Sequence, residues 1–228
     1  MKILLLAATA IEIQPCIDRM KLAPSSRASV LKGFYEGHHV EALITGVGAI
    51  ATAYQLGKQL TGNYYDLVLN LGIAGTYNDS FPLGSICNVT VEEFADLGAE
   101  DGVRFLDQFD LGLLGRDEFP YIDGKLANPL QPNATLLAHL PKAHGLTVNK
   151  VHGYQVSIDR LLKKYSADIE SMEGAAVFYV CLHEKQNFAQ VRAISNKVER
   201  RNKQNWKMAA AIESLNDFAI EYIYKLKG

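Results

Sequence analysis

Nearly unbroken apolar runs of strand length alternate along this chain with stretches whose apolar residues recur at helical spacing. Residues 2–8 form the first run and suit a central strand buried on both faces of a sheet. Residues 9–20 read as a first helical region; Pro15 is best tolerated in a first turn, so regular helix is expected only from about Gln14. Two antiparallel strands, 33–37 and 39–45, should border the sheet, with His38 and His39 exposed between them, and Gly46-Val47-Gly48 then opens a helix to Leu60. A buried strand over 66–71 ends in Gly72-Ile73-Ala74-Gly75, and glycines at a strand end mark close backbone approach.

The middle of the chain is less regular. A strand is expected over 84–93, a polar loop over 94–101, and a long connection over 100–128 of the kind that often binds ligands. A helix over 133–140, a strand over 145–151 and a short helix over 158–165 follow, and then a strand-like run over 167–172 turns into an apolar helix over 175–182 that holds Phe178 and Tyr179 in the core. The last elements are a strand over 190–195, a basic loop over 197–207 and a helix over 206–226 with Met208, Ile212, Leu215, Ala219, Tyr222, Ile223 and Leu226 on one stripe. Such alternation predicts an α/β fold, a mostly parallel or mixed sheet covered by helices, in one domain over 1–228.

Composition narrows the function classes. With 48% hydrophobic residues, 21% charged and a formal net charge of −2, neither nucleic acid nor an anionic membrane is an implied partner. The first apolar run is too short for the core of a signal peptide and no stretch approaches a membrane span, so a cytoplasmic protein is expected. Cys16, Cys87 and Cys181 are odd in number, far apart and set among apolar residues, which reads as buried thiols rather than a metal or disulfide framework.

Candidate chemistry centres on Ser171-Met172-Glu173-Gly174-Ala175-Ala176, where a carboxylate falls between strand and helix. A buried unpaired charge costs several kcal/mol, so Glu173 needs a fixed internal partner or a cleft in which a ligand supplies donors. The small residues behind it and the helix N-terminus favour the cleft. Glu12 lies three residues after Thr9, the spacing of a capping box, and is equally placed to face a ligand if the helix begins later. Asn196 directly follows a strand, where open α/β sheets place ligand groups and where turn residues also occur. The pairs Gly46/Gly48 and Gly72/Gly75 lack the spacing of a phosphate loop or dinucleotide fingerprint, and Lys197, Arg200, Arg201, Lys203 and Lys207 read as a solvated surface.

Taken together these pieces resemble the purine nucleoside phosphorylase and nucleosidase superfamily along essentially the whole chain. The segment 171–176 resembles its ribose-binding Met-Glu turn, Arg192-Ala193-Ile194-Ser195-Asn196 its base-binding strand end, and Ala8-Thr9-Ala10-Ile11-Glu12 the position of the nucleosidases' water-activating glutamate. Thr45-Gly46-Val47-Gly48, Gly72-Ile73-Ala74-Gly75, the stretch 94–101 and Ser195-Asn196-Lys197-Val198-Glu199 look most like futalosine hydrolases, which act in the futalosine route to menaquinone. The resemblance implies a single-domain three-layer α/β/α nucleoside phosphorylase-like fold with a central mixed sheet. It also implies a purine nucleoside substrate, no cofactor or metal, and a homo-oligomer. Glu12, Glu173 and Asn196 would be catalytic, and Ala74, Gly75, Met172, Glu173, Ser195 and Asn196 would bind substrate. Phosphorylases carry a Gly-Asp-Pro-x-Arg type loop where this chain has Ala7-Ala8-Thr9-Ala10-Ile11, so water should be the nucleophile. Methylthioadenosine nucleosidases end the base-binding strand in Ser-Asp where this chain has Ser195-Asn196, which weakens the adenine reading and removes a plausible proton donor. Such a nucleosidase, or a nucleoside-binding protein without turnover, remains the alternative.

Overall fold

A computed structural model describes residues 1–128 and 134–226. Strand β1 (Lys2–Ala7) is buried almost throughout and sits mid-sheet, pairing in parallel with β4 (His38–Ile44) and with β5 (Leu67–Thr76). Beyond β4 the sheet continues antiparallel through β3 (Val30–Tyr35) and the short β2 (Ala23–Pro24). On the other side β5 is followed by β12 (Phe188–Lys197), β6 (Ile86–Phe94), β10 (Lys142–Thr147) and β11 (Ile169–Ser171). β12 runs parallel to β5 and antiparallel to β6, so the sheet is mixed. β11 also pairs antiparallel with the far end of β5, which curls this half of the sheet back on itself.

Helices cover both faces, giving the three-layer α/β/α arrangement. On one face α1 (Ala10–Arg19) and α6 (Met208–Lys225) bury Ile13, Cys16, Leu215, Ala219 and Tyr222 against Leu5, Leu69 and Val191. On the other, α2 (Ala49–Leu60) and α5 (Gly174–His183) bury Leu56, Leu60, Val177, Phe178 and Cys181 against Leu4, Leu6, Val68 and Phe188. Each such large apolar side chain contributes roughly 1.5–3 kcal/mol on burial. The short α3 (Ala134–Ala138) precedes β10, and α4 (Gln155–Lys164) packs Leu161 against Leu146 and Val148.

Several elements differ from the sequence expectation. β5 does not stop at Leu71 but runs through the glycines to Thr76, held by β12 on one side and β11 on the other. Likewise β12 extends past Ser195 to Lys197, placing Asn196 inside the strand. β10 lies at Lys142–Thr147, earlier than the 145–151 run, because Ala143 and Leu146 fill the core whereas Lys150 and Val151 are exposed. The polar stretch 94–101 leads into a two-stranded hairpin, β7 (Gly98–Asp101) with β8 (Arg104–Asp107). The rest of the long connection, ending in β9 (Leu126–Ala127), lays Phe119 and Tyr121 over His183 and Tyr179 of α5. Tyr179 is nonetheless 39% exposed rather than core, and His38 is buried, with Nδ1 3.3 Å from the Met1 amino group. Asn133, the first residue of the helix expected over 133–140, lies outside the described residues. All three cysteines are buried free thiols, and burial pushes Cys16 and Cys87 up to about 12.

Candidate active site

The carboxyl ends of β1, β5 and β12 and the N-termini of α1, α2 and α5 meet at one edge of the sheet. Glu12 stands in the first turn of α1, where the helix is kinked at Ile13 ahead of Pro15, and regular helix follows as the proline requires. Its Oε2 accepts from the Thr9 amide and hydroxyl, each at 2.9 Å, so the capping contact is present. Its other oxygen reaches across to β5 and accepts from the Ile73 amide at 3.2 Å. Thus the capping bond and a position at the strand ends are not alternatives; one carboxylate fills both.

Glu173 is the N-cap residue of α5 and is 8% exposed. Its Oε1 accepts from the Gly48 amide at 2.9 Å, tying the N-terminus of α2 to that of α5. Gly48 adopts φ +97°, a left-handed conformation that suits glycine and points the amide at the carboxylate. Burial pushes the Glu173 carboxyl up; Arg192 and the Gly48 and Met172 amides pull it down, and the charge of Glu12 pushes it up again. Glu12, Glu173 and Arg192 therefore share one electrostatic neighbourhood.

Arg192 was not singled out by the sequence beyond its place in the strand-end motif, although it is the largest fully buried side chain. It lies in β12 opposite Gly72, and a Cβ on Gly72 would fall 2.3 Å from Arg192 Nη1 and 3.1 Å from Glu12 Oε1. Only glycine leaves room there for the guanidinium and the carboxylate to approach the strand, the close approach expected of this glycine run. Nη1 donates to Asn70 Oδ1 at 3.5 Å, while Nε and Nη2 find no hydrogen-bond partner among the described residues. Buried guanidinium donors without partners suit a ligand or water that accepts from them. The available signal was the polar alternation Gln190/Arg192 within the otherwise apolar stretch 188–194.

Behind Arg192 runs a buried polar chain. Asn70 Nδ2 donates to Gln190 Oε1 at 2.7 Å, Gln190 Nε2 to Glu92 Oε1 at 2.6 Å, and Thr147 Oγ1 to Glu92 Oε2 at 2.9 Å. Thr147 Oγ1 in turn accepts from the Ala175 amide at 2.7 Å, so the chain ends under the first turn of α5 that carries Glu173. Gly145 and Gly174 give Glu92 its space.

At the other end of the cluster, the β12 ladder skips Ser195, so that Ile194 faces Ala74 and Asn196 faces Gly75. Ser195 Oγ lies 3.2 Å from the Ala74 carbonyl and 2.8 Å from Asn196 Oδ1. Asn196 Nδ2 donates to the Lys197 carbonyl at 2.8 Å, keeping a second hydrogen for another acceptor. The Ala74 side chain is buried in the core with Phe81 and Cys87, which leaves its backbone as the part near the cleft, and Met172 is half-buried beside Glu173. Thus the sequence-expected residues Glu12, Glu173, Met172, Ala74, Gly75, Ser195 and Asn196 lie on adjoining turns and strand ends. In the basic loop Lys197 pairs with Asp79 and Arg201 stacks on Trp206, as on a solvated surface. Among the described residues no group of three or more His, Cys, Asp or Glu could hold a metal ion, and no helix is long and apolar enough to cross a membrane.

Residues 2–223 match the family model described as the phosphorylase superfamily. The futalosine hydrolase of Thermus thermophilus is 32% identical over 179 residues, 76% of this chain and 76% of that protein. Among solved structures, an S-adenosylhomocysteine nucleosidase from Streptococcus pyogenes has a TM-score of 0.82 at 16% identity, covering 100% of this chain and 98% of that one. A futalosine hydrolase mutant of Helicobacter pylori has a TM-score of 0.79 at 15% identity, covering 98% of this chain and 99% of that one. At such identities the structural likenesses establish the shared fold.

Proposed function

We propose that this chain, which belongs to the phosphorylase superfamily, is a nucleoside N-ribohydrolase that cleaves futalosine to hypoxanthine and dehypoxanthine futalosine on the route to menaquinone. The observation that carries the reading is the convergence of two carboxylates, Glu12 and Glu173, on the buried guanidinium of Arg192. Breaking an N-glycosidic bond passes through an oxocarbenium-like state, which needs a held sugar, a stabilised leaving base and a delivered water. Glu173, fixed by the Gly48 amide, accepts the ribose hydroxyls and stabilises positive charge growing on the ring. Glu12 orients the water and takes its proton as oxygen bonds to the anomeric carbon, while the free donors of Arg192 hold that water or a sugar oxygen. Asn196 donates to the purine edge as the glycosidic electron pair moves onto the base. Met172, Ala74, Gly75 and Ser195 complete the substrate contacts. The substrate is a small purine nucleoside rather than nucleic acid, and the protein acts in the cytoplasm as a homo-oligomer, the whole chain forming one nucleosidase domain.

The test is to incubate the protein with futalosine, inosine and methylthioadenosine, with and without phosphate, and to identify the released base. Hypoxanthine from futalosine at a rate independent of phosphate is expected, with a loss of roughly 10² or more in rate for Glu12→Gln. A rate proportional to phosphate, or a ribose-1-phosphate product, would sink the hydrolytic reading. Adenine from methylthioadenosine with futalosine untouched would make the chain a methylthioadenosine/adenosylhomocysteine nucleosidase, and binding without turnover would make it a nucleoside-binding protein.

A further inference from the structure

One carboxylate that the mechanism above leaves unused is tied to two of the groups it employs. Glu92 of β6 is completely buried, and the hydrogen bonds on it run in two directions. Along the first, Gln190 Nε2 donates to Oε1 at 2.6 Å, Gln190 Oε1 accepts from Asn70 Nδ2 at 2.7 Å, and Asn70 Oδ1 accepts from Arg192 Nη1 at 3.5 Å. An amide side chain can face either way, but a guanidinium only donates and an ionised carboxylate only accepts, so the two ends fix the sense of both amides between them. Along the second, Thr147 Oγ1 donates to Oε2 at 2.9 Å and accepts from the Ala175 amide at 2.7 Å. Ala175 stands in the first turn of α5, where amides have no partner within the helix, two residues beyond Glu173.

The carboxylate has no room to slide. Gly145 is its partner in the ladder between β10 and β6; a Cβ there would fall 2.5 Å from Glu92 Oε1, and one on Gly174 would fall 1.8 Å from it. The guanidinium of Arg192 is a rigid plane, so the contact at Nη1 sets where Nε and Nη2, the donors without a hydrogen-bond partner among the described residues, are aimed. In a low-dielectric interior, hydrogen bonds in a chain polarise one another, and a negative charge at one end strengthens the hold on a positive group at the other. The charged or titratable groups that act on Glu92 are Arg192 from β12 and His144 from β10, both favouring the anion. From α5 it meets Gly174, and in β9 it pairs with Leu126, neither of which titrates.

We propose that Glu92 is a positioning residue of the hydrolytic site, its anion holding Arg192 through Gln190 and Asn70 and the Glu173 turn through Thr147. This rests on the nucleosidase reading above and deepens it. A proton on Oε2 undoes the arrangement: it must be donated to Thr147, whose own hydrogen then loses its acceptor, and the two amides lose the charge that orients them. Burial pushes this carboxyl up to about 7, so the proton is exchanged near neutrality. The form that burial disfavours is the one the site requires, a common exchange of stability for function.

The experiment follows futalosine cleavage between about pH 5.5 and 8.5 in wild type and Glu92→Gln, since the new amide has the shape of the protonated acid and offers the same donor to Thr147. The ratio of kcat/KM, wild type over variant, should be about 1 at the acid end and rise to about 10-fold or more at the alkaline end, the usual weight of a hydrogen bond to a charged group. The midpoint of the rise should lie near pH 7. Titration of Glu12 or Glu173 occurs in both proteins and divides out. A merely structural Glu92 would lower the variant by one factor at every pH, and such a flat ratio overturns the inference. Without substrate, the Arg192 Nε–H resonance, assigned by its loss in Arg192→Lys, should show the same pH step in wild type and lack it in Glu92→Gln. Identical traces in the two proteins overturn the inference as well. Because that resonance needs no turnover, a wild type that shows the step yet releases no base upholds the hold of Glu92 on Arg192 and sinks the nucleosidase reading instead.

Discussion

Among the described residues no basic side chain is in hydrogen-bond contact with Glu92, which is completely buried, and burial pushes its carboxyl up to about 7 against the opposing pull of Arg192, Gln190, Thr147 and His144. In the unfolded chain a glutamate ionises near 4.3, so between roughly pH 4.3 and 7 the native state binds the extra proton. Stability must therefore fall as pH rises through that window and level off above it. Glu92→Gln removes the titration while keeping an amide able to accept from Gln190 and donate to Thr147. Thermal unfolding at pH 5, 6.5 and 8 should show the wild type losing stability relative to the variant, by on the order of 3 kcal/mol in full. Parallel curves would mean that Glu92 is ionised throughout. At this scale the sequence made Glu12, Glu173 and Asn196 stand out as candidates, because carboxylates and amides at element boundaries are conspicuous. It hid Arg192 and Glu92, whose surroundings depend on cross-strand register, and register is not written in any one segment.

The joint between β11 and α5 shows what a single element end must satisfy. A Cβ on Gly174 would lie 1.8 Å from Glu92 Oε1 and 2.7 Å from Gln190 Nε2, inside a network that cannot retreat. Gly174→Ala should therefore cost about 1–3 kcal/mol from overpacking and displace Glu173, lowering kcat/KM along with the melting temperature. The control is Gly57→Ala in α2, where nothing lies within 4 Å of the added Cβ; helix propensity predicts a gain of about 1 kcal/mol. Melting curves of the two variants should move in opposite directions, and a neutral Gly174→Ala would show that Glu92 is not wedged under α5. Most elements were legible from apolar period, including the helix opened by Gly48 and the alternation that builds the layered sheet. The β7–β8 hairpin was not, since β7 is exposed along its whole length and carries no apolar alternation; what betrays it is Gly98, where a Cβ would fall 2.0 Å from the Leu106 carbonyl. Nor was the run of β5 through its glycines, which only its two neighbouring strands make possible.

For the molecule as a whole, the three-layer order follows from alternating strands and helices, whereas the surface around the site raises a separate question. Val47, Ile50 and Tyr54 are 57%, 84% and 62% exposed at the start of α2, and Ile11, next to Glu12, is 71% exposed. Ile50 and Tyr54 are four apart and so lie on one face of α2. Single exposed apolar residues are ordinary, but these lie beside two residues of the site, Gly48 and Glu12, and apolar side chains grouped in this way mark contact surfaces. A second copy covering this rim would bury them and, on the proposed hydrolytic reading, shield the cleft of Glu12 and Glu173 from bulk solvent, strengthening the electrostatic interactions both carboxylates make. We therefore expect sedimentation analysis to give a dimer or larger assembly at micromolar concentration. Ile50→Asp combined with Tyr54→Asp should dissociate it and lower kcat/KM, although neither residue belongs to the proposed catalytic cluster. A monomeric wild type with full turnover, or an assembly indifferent to these charges, would show that the rim around Glu12 and Glu173 faces solvent.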